Sequence, residues 1–263
     1  MRTNKPGFQH QQRPKKNTLI IGIADVIEAI STGKQVERIY LSNTVFGKEA
    51  QPIIDIAEKH SIPINKVPIE KINGFNIGNH DGCVAVKGRV KYQDLQEVIS
   101  FVVESGEVPF LLMLDGITDI RNIGAIARTA WCCGIHAIII PEKGVGALNE
   151  DAMITSAGAL EKISICRVPT LMKAAEILHL NGIKILASEM TASESIFDTD
   201  FSEPVSIIMG SEDKGIYAAL MKLSDGSFKI PMVNNFESLN VSVAAGMILY
   251  EGMRQRNMGI NKS

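Results

Sequence analysis

The sequence predicts an α/β protein in which a small αβ domain precedes a larger domain built on a mostly parallel sheet. From residue 109 onward, short apolar runs alternate with longer helical patterns. Strands that are apolar on both faces are typical of parallel sheets covered by helices on both sides. Before residue 92 the alternation uses shorter segments, which indicates a compact unit of its own.

The chain begins with a basic segment, because residues 1–16 carry five Lys or Arg, no acid and almost nothing apolar. This composition predicts a disordered arm. Residues 17–91 form the predicted small domain, with helices at GIADVIEAIS and GKEAQPIIDIAEKH and strands at VERIYLS, IPINKV and DGCVAVKG. Residues 92–107 form an amphipathic pattern flanked by charges, which predicts a helix that connects the two domains.

The larger domain is predicted to span residues 108–256, followed by a tail over 257–263. Six strands are predicted at FLLMLD, HAIIIP, ISICRV, IKILASE, VSIIMG and FKIPM. Helices are predicted at NIGAIARTAWCCG, at TLMKAAEILHLNG and from Ser238 to the end of the domain. Ligands of such sheets bind beyond the carboxyl ends of the strands, so the segments that follow strands are where a site is expected.

Composition excludes several classes of protein. The four cysteines form no C-x-x-C pair and have no histidine at ligand spacing, so neither a disulfide framework nor a metal site is predicted. No apolar run reaches the roughly 18 residues that span a bilayer. The N-terminus lacks the apolar core of a signal peptide. We expect a cytoplasmic protein without a membrane partner.

Charge is distributed unevenly along a chain whose net charge is only −2. Residues 1–91 hold 14 Lys or Arg and 8 Asp or Glu, whereas the remainder holds 13 and 21. This split predicts that a polyanion would be gripped mainly by the front half. An uneven but solvated surface is the alternative interpretation.

Two junctions after predicted strands carry candidate functional residues. After FLLMLD, Asn122 is expected to cap the next helix, Gly124 leaves room for close approach, and Arg128 lies on the same helix face. After VSIIMG, Gly210 lets the backbone approach a ligand, and Glu212 lies near a helix start. A capped helix with a surface arginine, and an ordinary turn, are the structural alternatives.

Nucleotide-binding fingerprints are absent from the sequence. No GxxxxGK[ST] occurs, and GVGALN has Asn149 in place of the third glycine of GxGxxG. A phosphate-loop enzyme and a standard dinucleotide dehydrogenase are therefore disfavoured.

The third junction, IPMVNNFESLNVSVAAG, concentrates hydrogen-bonding side chains where a strand leads into a helix. Ser238, Asn240 and Ser242 occupy the first turns of the predicted helix. Such residues are neutral to poor inside helices, because their side chains compete for backbone groups. Their clustering needs an explanation beyond helix formation.

Three segments in order, DGITDIRNIGAIARTA, IIMGSEDKGI and IPMVNNFESLNVSVAAGMILYE, resemble the motifs of a known family. The family is the SpoU (TrmH) branch of the SPOUT superfamily of RNA 2′-O-ribose methyltransferases. The resemblance covers residues 109–256, and the front domain is similar to the family's L30e-like substrate-binding domain. The arrangement is similar to the bacterial type that methylates a guanosine of 23S rRNA.

The resemblance implies a fold, a cofactor and a set of site residues. The third motif would thread a deep trefoil knot, and the knotted domains would form a homodimer that acts on RNA rather than DNA. S-adenosylmethionine would contact Gly210, Ile230 and Leu239. The catalytic set would be Asn122, Arg128, Glu212, Ser238 and Asn240.

Some alternatives stay open beside this resemblance. The same chemistry on tRNA, or on rRNA as antibiotic resistance, is one, and a non-catalytic RNA-binding protein of the same fold is another. The chain also departs from the family at Asn234, where relatives often have glycine. Asparagine tolerates the left-handed backbone region better than other residues with a side chain, so we expect the loop to survive.

Overall fold

The computed structural model describes residues 18–60, 62–145, 148, 150–234 and 238–260, without the side chains of residues 150 and 257–260. The predicted basic arm and the last three residues of the predicted tail lie outside the described residues. The chain divides into two compact units, a front unit that ends at Gly88 and a back unit that starts at Arg89.

The front unit is built on a four-stranded sheet in the order β1-β4-β2-β3. Its strands are β1 (Leu19–Ile21), β2 (Val36–Ser42), β3 (Ile64–Val67) and β4 (Cys83–Lys87), and its helices are α1 (Ile23–Ser31), α2 (Gln51–Lys59) and α3 (Ile69–Asn73). β2 pairs parallel to β3 and antiparallel to β4. Helices α1 and α2 share one apolar core with β2, and α3 contributes Ile72 to a second core on Tyr40. The predicted small αβ domain is confirmed.

The back unit is built on an eight-stranded sheet in the order β10-β12-β9-β11-β6-β7-β8-β5. The strands are β5 (Tyr92–Gln93), β6 (Phe110–Leu114), β7 (Ala137–Pro141), β8 (Ser164–Val168), β9 (Lys184–Ser188), β10 (Glu194–Ser195), β11 (Val205–Met209) and β12 (Gly226–Lys229). Each neighbouring pair runs parallel. The predicted α/β class is confirmed, and two short edge strands, β5 and β10, widen the predicted six-stranded sheet.

Helices cover both faces of this sheet. They are α4 (Leu95–Glu104), α5 (Ile120–Cys132), α6 (Glu150–Thr155), α7 (Leu171–Leu180), α8 (Ala218–Met221) and α9 (Val241–Ile260). Helices α5, α6 and α9 pack on one face, and α4, α7 and α8 pack on the other. Along β6, Phe110 and Leu112 enter the first core, whereas Leu111 and Met113 enter the second. Burial on both faces explains why this strand is apolar throughout.

The segment predicted as a connector, residues 92–107, packs as part of the back unit. Strand β5 pairs with β8, and Asp94 caps α4 by accepting a hydrogen bond from the Glu97 amide at 3.0 Å. Leu95 and Ile99 of α4 are buried in the second core. The charged flank of this helix therefore faces solvent while its apolar stripe covers the sheet.

Arg256, near the end of α9, binds the segments that lead into β6 and β11. Its guanidinium lies 4.3 Å from the centre of the Phe110 ring. It donates hydrogen bonds to the carbonyl oxygens of Val108, Pro109, Phe201 and Glu203 at 2.7, 3.1, 2.8 and 2.8 Å. Burial lowers the pKa of Arg256 to about 10, so the group stays charged at neutral pH. Among the helices of the described residues, none has the length and apolar character that crossing a bilayer requires.

Candidate active site

The strand order places a ligand-binding position at the carboxyl ends of β6 and β11. These two strands are neighbours, but the chain leaves β6 towards β7 on one side and leaves β11 towards β12 on the other. Such a reversal opens a crevice outside the carboxyl edge of a parallel sheet. Three loops meet this edge: residues 115–119 after β6, residues 210–217 after β11, and the described residues 230–234 and 238–240 after β12.

The first two loops are joined by Asp115. Its amide donates to the Met209 carbonyl oxygen at 2.9 Å, and its Oδ2 accepts from the Tyr217 amide at 2.6 Å. The next residue, Gly116, has φ +67° and lies against Ser211, whose Oγ would be 3.6 Å from an added Cβ. Asp115 was not among the residues predicted for the site. The sequence feature that could have identified Asp115 is an acidic residue directly after the apolar run of β6.

Gly210 is required by the shape of its own loop. Ser211 and Gly215 form an antiparallel bridge, with the Gly215 amide donating to the Ser211 carbonyl oxygen at 2.9 Å. A Cβ at residue 210 would lie 2.2 Å from the carbonyl carbon of Gly215. The returning loop therefore leaves no space for any other residue type at this position.

Asn240 connects the third loop to the second loop and to the first turn of α5 through one side chain. Its Nδ2 donates to Glu212 Oε1 at 2.7 Å and to Asn122 Oδ1 at 3.2 Å. Its Oδ1 accepts from the amide and hydroxyl of Ser242 at 3.0 and 2.6 Å, and from the Val243 amide at 3.4 Å. Asn240 is thus the N-cap of α9 and the hub of the site. Because both donors and the acceptor are engaged, the network fixes the orientation of the amide.

Glu212 is held at the same helix start. Its Oε1 also accepts a hydrogen bond from the Val241 amide at 3.0 Å. The positive end of a helix dipole favours a carboxylate at this place. Within the third junction, Asn240 therefore joins the start of α9 to α5 and to the loop after β11, and Ser242 holds Asn240 in place.

Asn122 does not cap α5, so that prediction is wrong. The cap is Asp119, whose Oδ1 accepts from the Arg121 amide at 2.9 Å, and Asn122 follows within the first turn. Hydrogen bonds from the Arg121 side chain hold the pKa of Asp119 below its usual range. Since Asp119 takes the capping role, the side chain of Asn122 is free to meet Asn240.

Three other residues singled out from the sequence, Gly124, Arg128 and Ser238, make no hydrogen bond to this network of described residues. Gly124 is buried against α6, where an added Cβ would be 2.8 Å from the Ala152 carbonyl oxygen. The close approach that Gly124 permits is therefore the packing of α5 against α6. Arg128 is exposed and makes no hydrogen bond or ion pair with the described residues. Ser238 is half-buried, two residues before Asn240, and likewise has no hydrogen bond to the part of the chain described.

The three positions expected to hold a cofactor share an unusual backbone environment. Gly210, Ile230 and Leu239 are half-buried, and their peptide groups make no hydrogen bond to the described residues. Backbone polar groups without a protein partner are available for hydrogen bonds to water or to a ligand. Asn234 has no positive φ, so its departure from glycine introduces no backbone strain here.

Comparison with known proteins identifies the family. Residues 109–250 match the model of the SpoU rRNA Methylase family. The chain belongs to this family. Residues 19–93 match a second model, described as RNA 2′-O ribose methyltransferase substrate binding. The resemblance drawn from the three motifs, and the prediction of an RNA methyltransferase, are confirmed.

Relatives of the SpoU family cover nearly the whole chain. A Bacillus subtilis (strain 168) protein, named provisionally as a TrmH family tRNA/rRNA methyltransferase, is 32% identical over 92% of this chain and 98% of its own length. A Staphylococcus saprophyticus relative with the same provisional name is 32% identical over 91% and 96%.

Solved structures show the same fold. The SpoU methyltransferase AviRb from Streptomyces viridochromogenes, in complex with the cofactor AdoMet, has a TM-score of 0.57 at 24% identity, covering 92% of this chain and 91% of its own. The AdoMet-bound rRNA methyltransferase from Sinorhizobium meliloti has a TM-score of 0.56 at 21% identity, covering 90% and 87%.

Proposed function

We propose that the protein transfers a methyl group from S-adenosylmethionine to the ribose 2′-hydroxyl of an RNA nucleotide, a guanosine of 23S rRNA. One observation carries this proposal. Asn122, Glu212 and Asn240 form one hydrogen-bonded network at the carboxyl edge of the sheet, and three positions in the loops after β11 and β12 have backbone groups without a partner among the described residues. Family membership supports the chemistry, and the front unit's match to a substrate-binding model supports RNA as the partner.

The residues present fit the cofactor. When bound, S-adenosylmethionine supplies an electrophilic methyl group on a sulfonium. The free backbone groups of Gly210, Ile230 and Leu239 are suited to the hydrogen bonds that an adenosine offers. We expect residues 230–234 and 238–240 to belong to the deep trefoil knot that the family resemblance implies, since a knotted passage would fix these groups in place.

Methyl transfer to a hydroxyl depends mainly on alignment and on removal of a proton. Arg128 is suited to alignment, because its exposed guanidinium is uncommitted among the described residues and can hold a phosphate with two parallel hydrogen bonds. A guanidinium stays charged in proteins and has no acceptor atom, which makes it a poor proton acceptor. In our proposal Arg128 positions the ribose through the adjacent phosphate, and the phosphate or a neighbouring group takes the proton.

The decisive experiment maps 2′-O-methylation on 23S rRNA in a deletion strain. We expect one modification to disappear, and to return with the wild-type protein but not with Arg128→Ala. Methylation found only on tRNA would replace the rRNA assignment by its alternative. Cofactor binding without methyl transfer to any cellular RNA would identify a non-catalytic protein instead.

The role of Arg128 can be separated from its effect on folding. Arg128→Ala should lower turnover by 10²-fold or more. It should change the free energy of unfolding by less than about 0.5 kcal/mol, because the side chain is exposed. Arg128→Lys should not rescue turnover, since an ammonium lacks the planar pair of donors. The exposed Lys162→Ala is the control for loss of a positive charge, and a fully active Arg128→Ala would end this assignment.

We further propose a homodimer formed through α5 and α9, which pack against each other in the first core. Val243, Met247 and Tyr250 lie three to four residues apart on α9 and are 48%, 47% and 63% exposed, and Trp131 of α5 is 47% exposed. An exposed apolar stripe of this kind is typical of an interface. Sedimentation should give a dimer that Met247→Glu weakens, and a fully active wild-type monomer at micromolar concentration would contradict it.

Contacts to RNA phosphates are proposed to come from the basic arm. Residues 18–88 contain seven Lys or Arg and eight Asp or Glu, so the positive excess of the front half lies in residues 1–16 together with Arg89 and Lys91. Deletion of residues 1–16 should weaken RNA binding and flatten its salt dependence, by about 0.7–0.9 in slope for each lost phosphate contact. Cofactor affinity should not change. An unchanged salt slope would exclude the arm as a phosphate-binding element.

A further inference from the structure

The carboxyl edge of the back sheet carries four exposed apolar side chains, here termed the apolar rim. Met190 is 40% exposed, Phe197 73% and Tyr217 61%, and Val233 is fully exposed. They follow β9, β10, β11 and β12 in that order. Because these strands run parallel, the rim lies along the same edge as the Asn240 network.

The backbone of the two aromatic residues of the apolar rim, Phe197 and Tyr217, is held by hydrogen bonds. The Tyr217 amide donates to Asp115 Oδ2 at 2.6 Å, and its carbonyl oxygen accepts from the amides of Leu220 and Met221 at 2.8 and 2.9 Å. The Phe197 amide donates to Ser195 Oγ at 3.2 Å. The rings are thus presented to solvent by backbone held in hydrogen bonds, which lowers the entropy cost of binding a ligand.

The strand positions to which Phe197 and Tyr217 are attached lie on either side of the candidate active site. Phe197 follows the edge strand β10, and Tyr217 is tied to the end of β6, four positions along in the strand order. At about 4.8 Å per strand, these positions are roughly 19 Å apart. The loops after β11 and β12, which carry Glu212 and Asn240, emerge between them.

Charge at this edge disfavours phosphate and leaves bases as the groups that can be contacted. Segments 189–198 and 210–217 contain five acidic residues and one lysine. Phosphates approaching these segments would be repelled. Aromatic rings, in contrast, can stack on any nucleobase, because every base has a flat face and carries no charge.

We propose that Phe197 and Tyr217 stack on unpaired nucleotides to either side of the one whose ribose enters the site. The inference rests on the proposed function and names the form of its substrate, a single-stranded or looped RNA segment. Duplex RNA could not stack on these rings, because its bases are already stacked on one another inside the helix.

The test compares RNA binding by the full-length protein and three variants, Phe197→Ala, Tyr217→Ala and the double variant. Phe101→Ala is the matched control, since Phe101 is 71% exposed on α4, away from this edge. The probes are a short fluorescent single-stranded RNA and a duplex of the same sequence, titrated at several salt concentrations.

Each alanine variant should weaken single-strand binding by about 5- to 160-fold, the range of base–aromatic stacking. The slope of affinity against salt should not change, because no phosphate contact is lost. Tyr217→Phe should bind like the wild type, and the Phe101 control should match it. Affinity for the duplex should be low for wild type and variants alike.

Several outcomes would overturn the stacking role. Wild-type binding retained in both alanine variants would show that the rings do not touch RNA. A matching loss of cofactor affinity by calorimetry would assign them to the cofactor site, and dissociation of a dimer would assign them to the interface. If the wild type itself binds no RNA, the proposed function fails, and that result is distinct from failure of the rim alone.

Discussion

Replacing Asn240 by alanine should destabilise the back unit by about 2 kcal/mol. Loss of the N-cap of α9 accounts for about 1 kcal/mol. The two hydrogen bonds from Nδ2, at 2.7 Å to Glu212 and 3.2 Å to Asn122, account for roughly another 1 kcal/mol, at the low end because Asn240 is exposed. The melting temperature of the back unit should fall by about 4–8 °C.

Asn240→Ser divides this effect into its two parts. A serine hydroxyl can still accept from the amides of the first turn of α9, so the cap survives while the links to Glu212 and Asn122 are lost. We expect about half of the destabilisation for this variant. Scanning calorimetry with urea denaturation gives the stabilities, and a calorimetric titration with S-adenosylmethionine gives cofactor affinity, which should fall in both variants.

The reasoning would be refuted by an alanine variant that loses less than about 0.5 kcal/mol. It would also be refuted if the serine and alanine variants were equally unstable, since the cap would then contribute nothing. Stability lost as expected with turnover fully retained would make Asn240 a structural hub without a part in catalysis.

Three further expectations concern Arg256, Gly210 and the cysteines. Arg256→Met should cost about 3 kcal/mol in urea denaturation, because four carbonyl oxygens lose their donor, and a cost below about 1 kcal/mol would contradict this. Gly210→Ala should open the loop after β11 and lower cofactor affinity at least tenfold by calorimetry, since its Cβ would meet backbone at 2.2 Å; unchanged affinity would show that the loop adapts. Burial raises the pKa values of Cys83 and Cys166 to about 12, so at pH 8 a thiol reagent should label the exposed Cys132 first, as mass spectrometry can show; equal labelling would disprove their burial.

The long apolar strands of the back sheet could be predicted because burial on both faces leaves a continuous apolar run, as in β6. The short strands could not. β1 has three residues and β10 has two, too few for any periodicity to register. Their pairing is decided by tertiary contacts, β1 with β4 and β10 with β12.

The candidate site could be located from sequence but not assembled. Parallel strands place their carboxyl ends together, so three polar junctions predicted one edge. Which residue caps α5 was not decidable, because Asp119 and Asn122 are both good caps and helix starts are uncertain by a few residues. The assignment to Asp119 is what frees Asn122 for Asn240, a contact over 118 residues of chain that no local pattern encodes.

The position of α9 has a consequence for how the protein comes into being on the ribosome. Its first turn completes the site through Asn240, and its end holds Val108 through Arg256, a contact that spans 148 residues of sequence. Contacts this distant form only after the intervening chain has been synthesised, and they slow folding. In the nascent back unit, neither the Arg256 contacts nor the network around Asn240 can therefore form until α9 has left the exit tunnel.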